Sequence, residues 1–341
     1  RMVGVSTGTV SRVLNGAPNV DPEIREKTNR VLRETNYRRG RKGRKAGGKN
    51  RQPKVGENSQ IALILPEMSS EWLVQDLWRS YLSGIEKASR KHQRKITLIF
   101  SDGELDDVIL ERSAGILLKT GKQAPPFLNR IKRPIVGFGV YNPLLPIPQV
   151  AVDDHCAGCM ATDGLLQAGH RRVAFLNHQS DHAMFIKRSQ GYVESMKCAG
   201  LFDDRLLLEL AGRQRKSRKP ESEPPDLSQA LNTFMAISER PTAIIVANDW
   251  GAAGLYKACD ARGLQIPSDV SIVGIDDVGG LCGAMSPGLT SVAMPFADVA
   301  YFAAMTLCEL IDGVGTHMSG RTSVQYLPGE LNIRQSTQIF R

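Results

Sequence analysis

The sequence predicts an α/β protein with two lobes, each a doubly wound parallel sheet, preceded by a small all-α head. Three observations lead to this fold class. From residue 59 onward, apolar strand-like runs alternate with helical segments. At 341 residues and 41% hydrophobic composition, the chain exceeds one ordinary domain and can bury a substantial core. Positive charge is concentrated at one end of the chain. Residues 1–58 contain 15 Lys or Arg and 5 Asp or Glu, whereas the remaining residues contain 29 Lys or Arg and 30 Asp or Glu, out of totals of 44 and 35.

The head begins with a turn and a short helix in residues 4–16. Ser6 occupies an N-cap position, where its hydroxyl can accept from the free backbone N–H groups of the first turn. Val10, Val13 and Leu14 are spaced i, i+3 and i+4 and form one apolar stripe. The other face carries small, hydroxyl-bearing and basic side chains, which fit a DNA major groove better than a catalytic pocket. An ordinary surface helix is the alternative on these residues alone.

A second helix is predicted directly after this one. Asp21 is placed to cap it, and Pro22 stands at its first position. Its apolar stripe, which runs to about residue 37, consists of Ile24, Thr28, Val31 and Leu32. Two short helices bury little apolar surface, and only three residues precede Gly4. We therefore expect that most of a first helix is missing from this sequence, and we assign the head to residues 1–37.

Residues 38–58 form a basic, glycine-rich linker without apolar periodicity, a composition typical of a disordered tether. Arg39, Arg41 and Arg44 suggest an arm whose guanidinium groups enter a narrow A·T-rich minor groove. The alternative is a solvated tether that is attracted to phosphates without sequence preference. In either case, positive charge confined to one end of a neutral protein is typical of a nucleic-acid binder.

The body is predicted to contain alternating strands and helices in two lobes. Strands are expected at residues 61–65, 96–100, 115–118, 134–138, 172–176, 243–247 and 270–275. This number of strand–helix units, with right-handed crossovers, indicates two lobes rather than one sheet. We expect the first lobe at about 59–153 and 291–320, and the second at about 154–290 and 321–341. Ligands of such folds bind beyond the carboxyl ends of the strands, here in the cleft between lobes.

The segments GVSTGTVSRVLNG and REKTNRVLRETNYR closely resemble the DNA-binding head of LacI/GalR-type transcription regulators. The resemblance implies a helix-turn-helix whose second helix lies in the major groove. By position it places Thr7 and Gly8 at base-reading sites and Arg12 at a further base or phosphate contact. The positions that it places near phosphates are Ser6, Thr9, Ser11 and Asn15. Two features depart from the family: Gly8 has no side chain to read a base, and residues 38–58 lack the usual hinge helix with its leucine.

The body resembles the effector-binding core of the same family, which is similar to periplasmic sugar-binding proteins. The motifs, in chain order, are VDD at 152–154, LLQAGHRRVAFL, RSQGYVESMKCAGL, PTAIIVANDWGAAGLYKACDARGLQIPSDVSIVGIDD and PGLTSVAMP. By position the family's ligand contacts fall on Arg188, Asn248 and Asp276. A guanidinium, a carboxamide and a carboxylate supply paired donors and acceptors for vicinal hydroxyls. The resemblance therefore implies a small-molecule effector, a sugar or related metabolite.

Three further residues are candidates for the cleft. Trp72, in the loop after the first strand, can stack on a sugar ring or a base, with a core position as the alternative. Trp250 either lines the cleft or packs beneath it, and Asp153 stands at a strand end that faces the expected cleft. Asp249 and Asp277, by contrast, are expected to cap helices or fix loops rather than touch the ligand.

The remaining motifs give no indication of catalysis. The sequence has no GxSxG, HExxH or Walker loop, and we expect no enzyme activity, no cofactor and no metal. His170 is expected to have a structural role, and His178 and His182 are separated by a loop segment that does not suit a metal pair. The six cysteines suit reduced thiols, and we interpret Cys156 and Cys159, which have CxxC spacing, as two small buried residues on a helix.

The resemblance and the charge distribution together predict how the protein works. We expect a homodimer that represses transcription by binding a pseudo-palindromic operator in double-stranded DNA and that responds to a carbohydrate effector. The sequence has no run of about 18 apolar residues and no signal-peptide pattern. We therefore expect no membrane association and a cytoplasmic, nucleoid-associated protein. The alternative is a solute-binding protein for sugar transport or sensing, which would need a signal peptide and no basic head.

Overall fold

The computed structural model of the protein describes residues 13, 21–34, 60–66, 68–101, 112–121, 123–211, 223–314 and 323–339. The chain divides into two units, Arg1–Lys54 and Val55–Arg341, which are treated separately below. Every residue predicted to contact DNA lies outside the described residues, so these assignments stay predictions. They are Ser6, Thr7, Gly8, Thr9, Ser11, Arg12, Asn15, Arg39, Arg41 and Arg44.

In the first unit the structure describes helix α1 (Pro22–Glu34) and Val13. The predicted start of α1 is confirmed, because the Asp21 side chain accepts hydrogen bonds from the backbone N–H groups of Glu23 at 2.9 Å and Ile24 at 3.3 Å. Pro22 stands at the first helical position, where its missing N–H is not needed. Val13, one member of the predicted apolar stripe, is helical and buried.

The second unit contains two six-stranded sheets. The first sheet is parallel throughout and has the strand order β11-β5-β4-β3-β1-β2. Its strands are β1 (Gln60–Pro66), β2 (Lys95–Ser101), β3 (Gly115–Lys119), β4 (Ile135–Gly139), β5 (Gln149–Val152) and β11 (Val324–Leu327). The helices of this lobe include α2 (Asp76–Lys91), α8 (Phe296–Asp312) and short 3-10 helices at Ser70–Val74 and Pro126–Arg130.

The second sheet has the order β12-β10-β9-β8-β6-β7, parallel except for the antiparallel pair of β10 and β12. Its strands are β6 (Val173–Asn177), β7 (Leu207–Glu209), β8 (Ala243–Val246), β9 (Ser271–Asp276), β10 (Thr290–Ala293) and β12 (Glu330–Asn332). Its helices are α3 (Asp154–Gln167), α4 (Ala183–Cys198), α5 (Ser228–Met235), α6 (Asp249–Arg262) and α7 (Leu281–Ala284), with a 3-10 helix at Asp204–Leu206.

All seven predicted strands are present, as β1 to β4, β6, β8 and β9. The prediction missed β5, β7, β10, β11 and β12, each of which has only three or four residues. A buried parallel strand is recognised from its apolar run, and such short strands do not provide one. The two-lobed parallel architecture itself is confirmed.

Two of the expected lobe boundaries are wrong. Residues 291–293 were assigned to the first lobe, but β10 pairs in parallel with β9 of the second sheet. Residues 321–327 were assigned to the second lobe, but β11 pairs in parallel with β5 of the first sheet. The chain therefore crosses between the lobes after β5, after β10 and again between β11 and β12.

Aromatic packing fixes α2 and α8 to the first sheet. The buried Tyr81 ring lies 5.3 to 5.4 Å from the ring centroids of Trp78, Phe138 and Phe296, mostly in edge-to-face geometry.

The predicted structural role of His170, which is buried in the second lobe, is confirmed. Its ring nitrogens lie 2.8 Å from the Thr242 hydroxyl and 3.1 Å from the Gln338 carbonyl oxygen.

Helices α3 and α4 approach each other so closely that glycine is required on both. A methyl group on Gly191 would overlap the carbonyl oxygen of His155, and one on Gly158 would overlap that of Arg188. Both obstacles are backbone atoms of a packed helix, so no side chain can move aside.

We predict that Gly191→Ala lowers the free energy of unfolding by about 1–3 kcal/mol, the range of overpacked core substitutions. Urea denaturation of the full chain measures the change. Gly283→Ala on α7 is the matched control, because nothing lies within 4 Å of its added methyl group. Equal midpoints for the two variants would contradict the close packing of α3 on α4.

Candidate functional site

The candidate site lies where the carboxyl ends of the parallel strands of both sheets meet. In a doubly wound fold, loops at this edge bring residues from several strands together. Residues of the two lobes lie close to one another there. The Lys187 ammonium group of α4 lies 6.0 Å from the ring centroid of Tyr141, which follows β4. The Asp76 carboxylate at the start of α2 lies against Gly279, which follows β9.

The centre of the site is Arg188 on α4, whose side chain is fully buried. Its Nε donates to the Asp154 carboxylate at 2.9 Å, and one Nη donates to the Asp276 carboxylate at 2.7 Å. The other Nη donates to the Ala247 carbonyl oxygen at 2.6 Å. A buried charge requires such partners, and these contacts join α4 to the beginning of α3 and to the ends of β8 and β9.

Burial and the neighbouring charges act in opposite directions on the pKa values of Arg188, Asp154 and Asp276. Burial alone would lower the pKa of Arg188, but the carboxylates of Asp276 and Asp154 raise it above its ordinary value. Burial raises the pKa of Asp154 to about 6, even though the Arg188 charge acts in the opposite direction. The pKa of Asp276 is likewise raised by burial against the effect of Arg188. Arg188 therefore stays ionised, whereas the two carboxyl groups titrate above their usual range.

The structure brings together two of the three effector contacts implied by the resemblance, Arg188 and Asp276. The Asp276 side chain is 18% exposed, and Arg188 has no exposed surface. In this conformation Arg188, which was predicted to contact the effector, has no exposed surface with which to touch a ligand and binds Asp276 instead. Asp276 has a φ of 128°, a left-handed conformation that costs energy for a residue with a side chain.

The remaining predicted residues all follow the carboxyl ends of strands. Asn248 caps α6, where its Oδ1 accepts from the Gly251 N–H at 2.8 Å. Asp153 caps α3 by accepting from the Cys156 N–H at 2.9 Å. Trp72, in the 3-10 helix after β1, and Trp250, in the first turn of α6, are both half-buried. Trp72 also packs against the main hydrophobic core, as its alternative assignment expected.

Asp249 and Asp277 fix the loop after β9, as expected. Asp249 is buried and accepts hydrogen bonds from the Asp277 N–H and from the Ser291 hydroxyl, both at 2.6 Å. Burial, followed by the negative charge of Asp276, raises the pKa of Asp249 to about 7. Asp277 in turn accepts from Arg334 at 2.8 Å and from Asn332 at 2.6 Å, which lowers its pKa despite partial burial. These bonds hold Asp276 in its strained position.

Two charged residues of the site, Asp154 and Lys119, were not predicted from the sequence. Asp154 is the second aspartate of the VDD segment, and its carboxylate, not that of Asp153, holds Arg188. Lys119 ends β3; burial lowers its pKa to about 8, and its ammonium donates to the Thr120 carbonyl oxygen at 3.1 Å. Its side chain also lies over Gly139, in the space that a side chain there would occupy. The only sequence feature that marks Lys119 is its place at the end of the apolar run GILLK.

His178 and His182 follow β6 and both contact the ring of Phe185, at centroid distances of 5.3 and 5.0 Å. His178 is 8% exposed, and burial, followed by the positive charge of Arg188, lowers its pKa to about 4. Among the residues that the structure describes, no group of three or more His, Cys, Asp or Glu is arranged to hold a metal ion.

We predict that His178 makes the protein sensitive to acid. Its pKa in the folded state, about 4, lies below the ordinary value of 6.5, so the unfolded chain binds more protons between these pH values. The contribution of His178 to stability is therefore complete above pH 6.5 and is lost as the pH falls towards 4. Urea denaturation across this pH range should show a steeper loss for the wild type than for His178→Gln, in which Asp154 titrates unchanged. Parallel pH profiles would contradict the prediction.

Two parallel α/β lobes, with a polar site at their strand ends and a basic helical unit before them, define a two-lobed ligand-binding regulator. The chain belongs to the family of periplasmic binding protein-like domains, and its first part matches the LacI family of bacterial regulatory proteins. The model of that family matches residues 1–40, and the model of the periplasmic binding protein-like domain matches residues 162–337. The protein is accordingly a DNA-binding transcriptional regulator, the class predicted from its sequence.

Several characterised proteins are similar over nearly the whole chain. The ribose operon repressor of Haemophilus influenzae is 27% identical over 91% of this chain and 90% of its own length. The catabolite control protein A of Priestia megaterium is 27% identical over 99% of this chain and 97% of its own. The solved complex of the transcriptional regulator CelR with cellobiose is 25% identical, covers 98% of this chain and 97% of that one, and superposes with a TM-score of 0.66.

In the part of the chain that the structure describes, no helix is long and apolar enough to cross a bilayer.

Proposed function

We propose that the protein is a repressor whose affinity for its DNA operator is controlled by a sugar or related metabolite bound between the lobes. The observation that carries the proposal is the partly exposed Asp276 carboxylate, held at the strand ends by the buried Arg188. A carboxylate that is fixed in this way is an acceptor for sugar hydroxyls. The names of two similar proteins, a ribose operon repressor and a regulator in complex with cellobiose, support a carbohydrate.

The other cleft residues have complementary roles in this proposal. Because the Asn248 oxygen is occupied by Gly251, its amide nitrogen is the group that donates to the ligand. Trp72 and Trp250 provide apolar ring faces from the two lobes for a sugar ring. Asp153 is assigned a weaker polar contact at the end of β5. Binding between the lobes orders contacts from both of them and so favours one lobe arrangement over others.

In this proposal, the head at residues 1–37 binds DNA. Thr7 and Arg12 would read base edges, and Ser6, Thr9, Ser11 and Asn15 would contact phosphates, with Gly8 allowing close approach to the DNA. Two chains paired through their lobes would place two heads on successive half-sites of a pseudo-palindrome. The alternative, a solute-binding protein without DNA binding, is not favoured by the match of residues 1–40 to a regulatory head.

Selection of DNA sequences from a random duplex library by the full-length protein tests this proposal. We expect a palindromic consensus whose binding weakens steeply with salt, as phosphate contacts require. Arg12→Ala should relax base preference at one position of each half-site, with a cost of about 1–3 kcal/mol at the preferred base. Binding with no sequence preference at any salt concentration would contradict the proposal.

The basic linker at residues 38–58 gives a separate prediction. If Arg39, Arg41 and Arg44 enter a narrow minor groove, their joint replacement by lysine should reduce the preference for A·T-flanked operators, because the charge is kept while the guanidinium groups are lost. Competition binding between A·T-flanked and G·C-flanked operators measures this preference. An unchanged preference would show that the linker only attracts phosphates.

A further inference from the structure

The CxxC segment on α3 has a geometry that the regulator function does not use. Cys156 and Cys159 are both half-exposed, which corrects the expectation that they are buried. They are three residues apart and lie in the first two turns of the helix, which starts at Asp154. Residues at this spacing face the same side of a helix, with Cβ atoms about 5–6 Å apart. The two thiols are therefore neighbours on one accessible face.

A histidine and a glutamate accompany the second thiol. The Cys159 sulfur lies 3.8 Å from Nδ1 of His155 and 3.5 Å from the carbonyl oxygen of Gly191 on α4. Nε2 of the same imidazole lies 3.0 Å from a carboxylate oxygen of Glu194, also on α4. A carboxylate at Nε2 places the proton of the neutral ring on that nitrogen and leaves Nδ1 as an acceptor. The Cys159 thiol donates to the Gly191 carbonyl oxygen in this structure, and Nδ1 of His155, 3.8 Å from the same sulfur, is the neighbouring base that can remove the proton.

This base is needed because the surroundings do not favour a free thiolate. Burial raises the pKa of Cys159 above its ordinary value, and burial and the Asp153 carboxylate raise that of Cys156. Since the thiolate is the nucleophile, a thiol with a raised pKa reacts at neutral pH only if a base removes its proton. His155 is 39% exposed and Glu194 is 65% exposed, so small reagents in solution can reach the group.

We propose that Cys156 and Cys159 form an oxidisable dithiol, in which Cys159 reacts first with a peroxide and Cys156 then closes a disulfide. In the first step the Cys159 proton passes to His155 and the sulfur attacks one peroxide oxygen. The O–O bond breaks, and a sulfenic acid and water are formed. In the second step the Cys156 sulfur attacks the Cys159 sulfur, the S–O bond breaks, and a second water leaves with the Cys156 proton. The two thiols together lose two electrons, and one hydrogen peroxide is reduced to two waters.

The position of the pair near the start of α3 makes the disulfide geometrically accessible. A disulfide needs Cα atoms about 4.4–6.8 Å apart and Cβ atoms about 3.5–4.5 Å apart. The first turns of α-helices readily tighten to 3-10 geometry, in which side chains at i and i+3 eclipse. Of the other cysteines, Cys198 is exposed, whereas Cys259, Cys282 and Cys308 are buried with pKa values raised by burial. Cys198 is therefore the matched reference thiol.

Peptide mapping of the reduced full-length protein after treatment with hydrogen peroxide tests the proposal. Cys156 and Cys159 fall on one tryptic peptide, residues 133–171. We expect this peptide to lose two hydrogens and to resist alkylation, whereas Cys156→Ser and Cys159→Ser each abolish the loss. The proposal is overturned if the wild-type peptide still takes two alkyl groups under conditions that oxidise Cys198. It is equally overturned if Cys159 proceeds to the sulfinic acid without forming the disulfide.

The role of His155 is tested by the rate of this reaction. His155→Gln keeps a polar side chain of similar size but removes the base, so disulfide formation at pH 7 should slow by about tenfold or more. At a pH well above the thiol pKa, where no base is needed, the variant and the wild type should react at the same rate. Equal rates at pH 7, or an equal deficit at both pH values, would contradict the assignment of His155 as the base.

Discussion

Replacement of Arg188 by methionine is expected to lower the free energy of unfolding by about 3–5 kcal/mol, the cost of leaving buried carboxylates without their partner. Arg188 is fully buried and donates to Asp154 and Asp276, two carboxyl groups whose pKa values are already raised. Methionine fills a similar volume without charge, so the main loss is the ionic partner. Denaturation of the full chain in urea, followed by tryptophan fluorescence, measures the change.

Two further variants separate this effect from a general loss of packing. Arg205→Met removes an exposed arginine that also pairs with an aspartate, at 2.7 Å from Asp203, and should leave the unfolding midpoint nearly unchanged. Combination of Arg188→Met with Asp154→Asn and Asp276→Asn should recover much of the lost stability, because the unpaired carboxylates are then gone. If Arg188→Met unfolds at the same urea concentration as the wild type, the buried ion cluster does not stabilise the fold.

Asp276→Asn is expected to weaken carbohydrate binding by about 10–100-fold. A hydrogen bond to a charged group contributes about 1.5–3 kcal/mol, and 1.4 kcal/mol corresponds to a factor of ten in affinity. The substitution keeps the side-chain shape and leaves Arg188 paired with Asp154 at 2.9 Å, so folding should be preserved. Calorimetric titration of the full chain with ribose, cellobiose and related sugars identifies the ligand and then measures the loss.

The matched control for this variant is Asp260→Asn, an exposed aspartate in the last turn of α6, at the opposite end of that helix from Asn248. It changes the net charge by the same amount at a position away from the strand ends. We expect its affinity to equal that of the wild type. If Asp276→Asn binds the sugar as tightly as the wild type, Asp276 is not the ligand contact, and the proposed site is wrong.

The sequence was sufficient to predict the parts of the fold with a strong local signal. Buried parallel strands such as β1 and β9 are continuous apolar runs, and the capping pair Asp21 and Pro22 marked the start of α1. The short strands have no such signal, because their pairing depends on distant partners. Strand β11, which pairs with β5 far earlier in the chain, is the clearest case and accounts for one wrong lobe boundary.

Residues of the site could be predicted from the sequence, but the ion pairs and hydrogen bonds that join them could not. Arg188 and Asp276 were identified by resemblance, yet they are 88 residues apart, and nothing local indicates that they form an ion pair. The resemblance also did not separate Asp153 from Asp154. The structure distinguishes their roles at the start of α3, because Asp153 caps the helix and the Asp154 carboxylate accepts from Arg188. Lys119 had no motif, since its place depends on the space above Gly139.

We expect a sugar held at the strand ends to change the affinity of the head for DNA. Titration of the selected palindromic operator with full-length protein, with and without saturating sugar, tests it most directly. Coupling between two sites is typically about 1–3 kcal/mol, so the dissociation constant should change by about 5–150-fold. Because Asp276→Asn binds the sugar more weakly, it should show this change only at about 10–100-fold higher sugar concentrations, with unchanged DNA binding in the absence of sugar. The same dissociation constant with and without a sugar that demonstrably binds the protein would contradict this expectation.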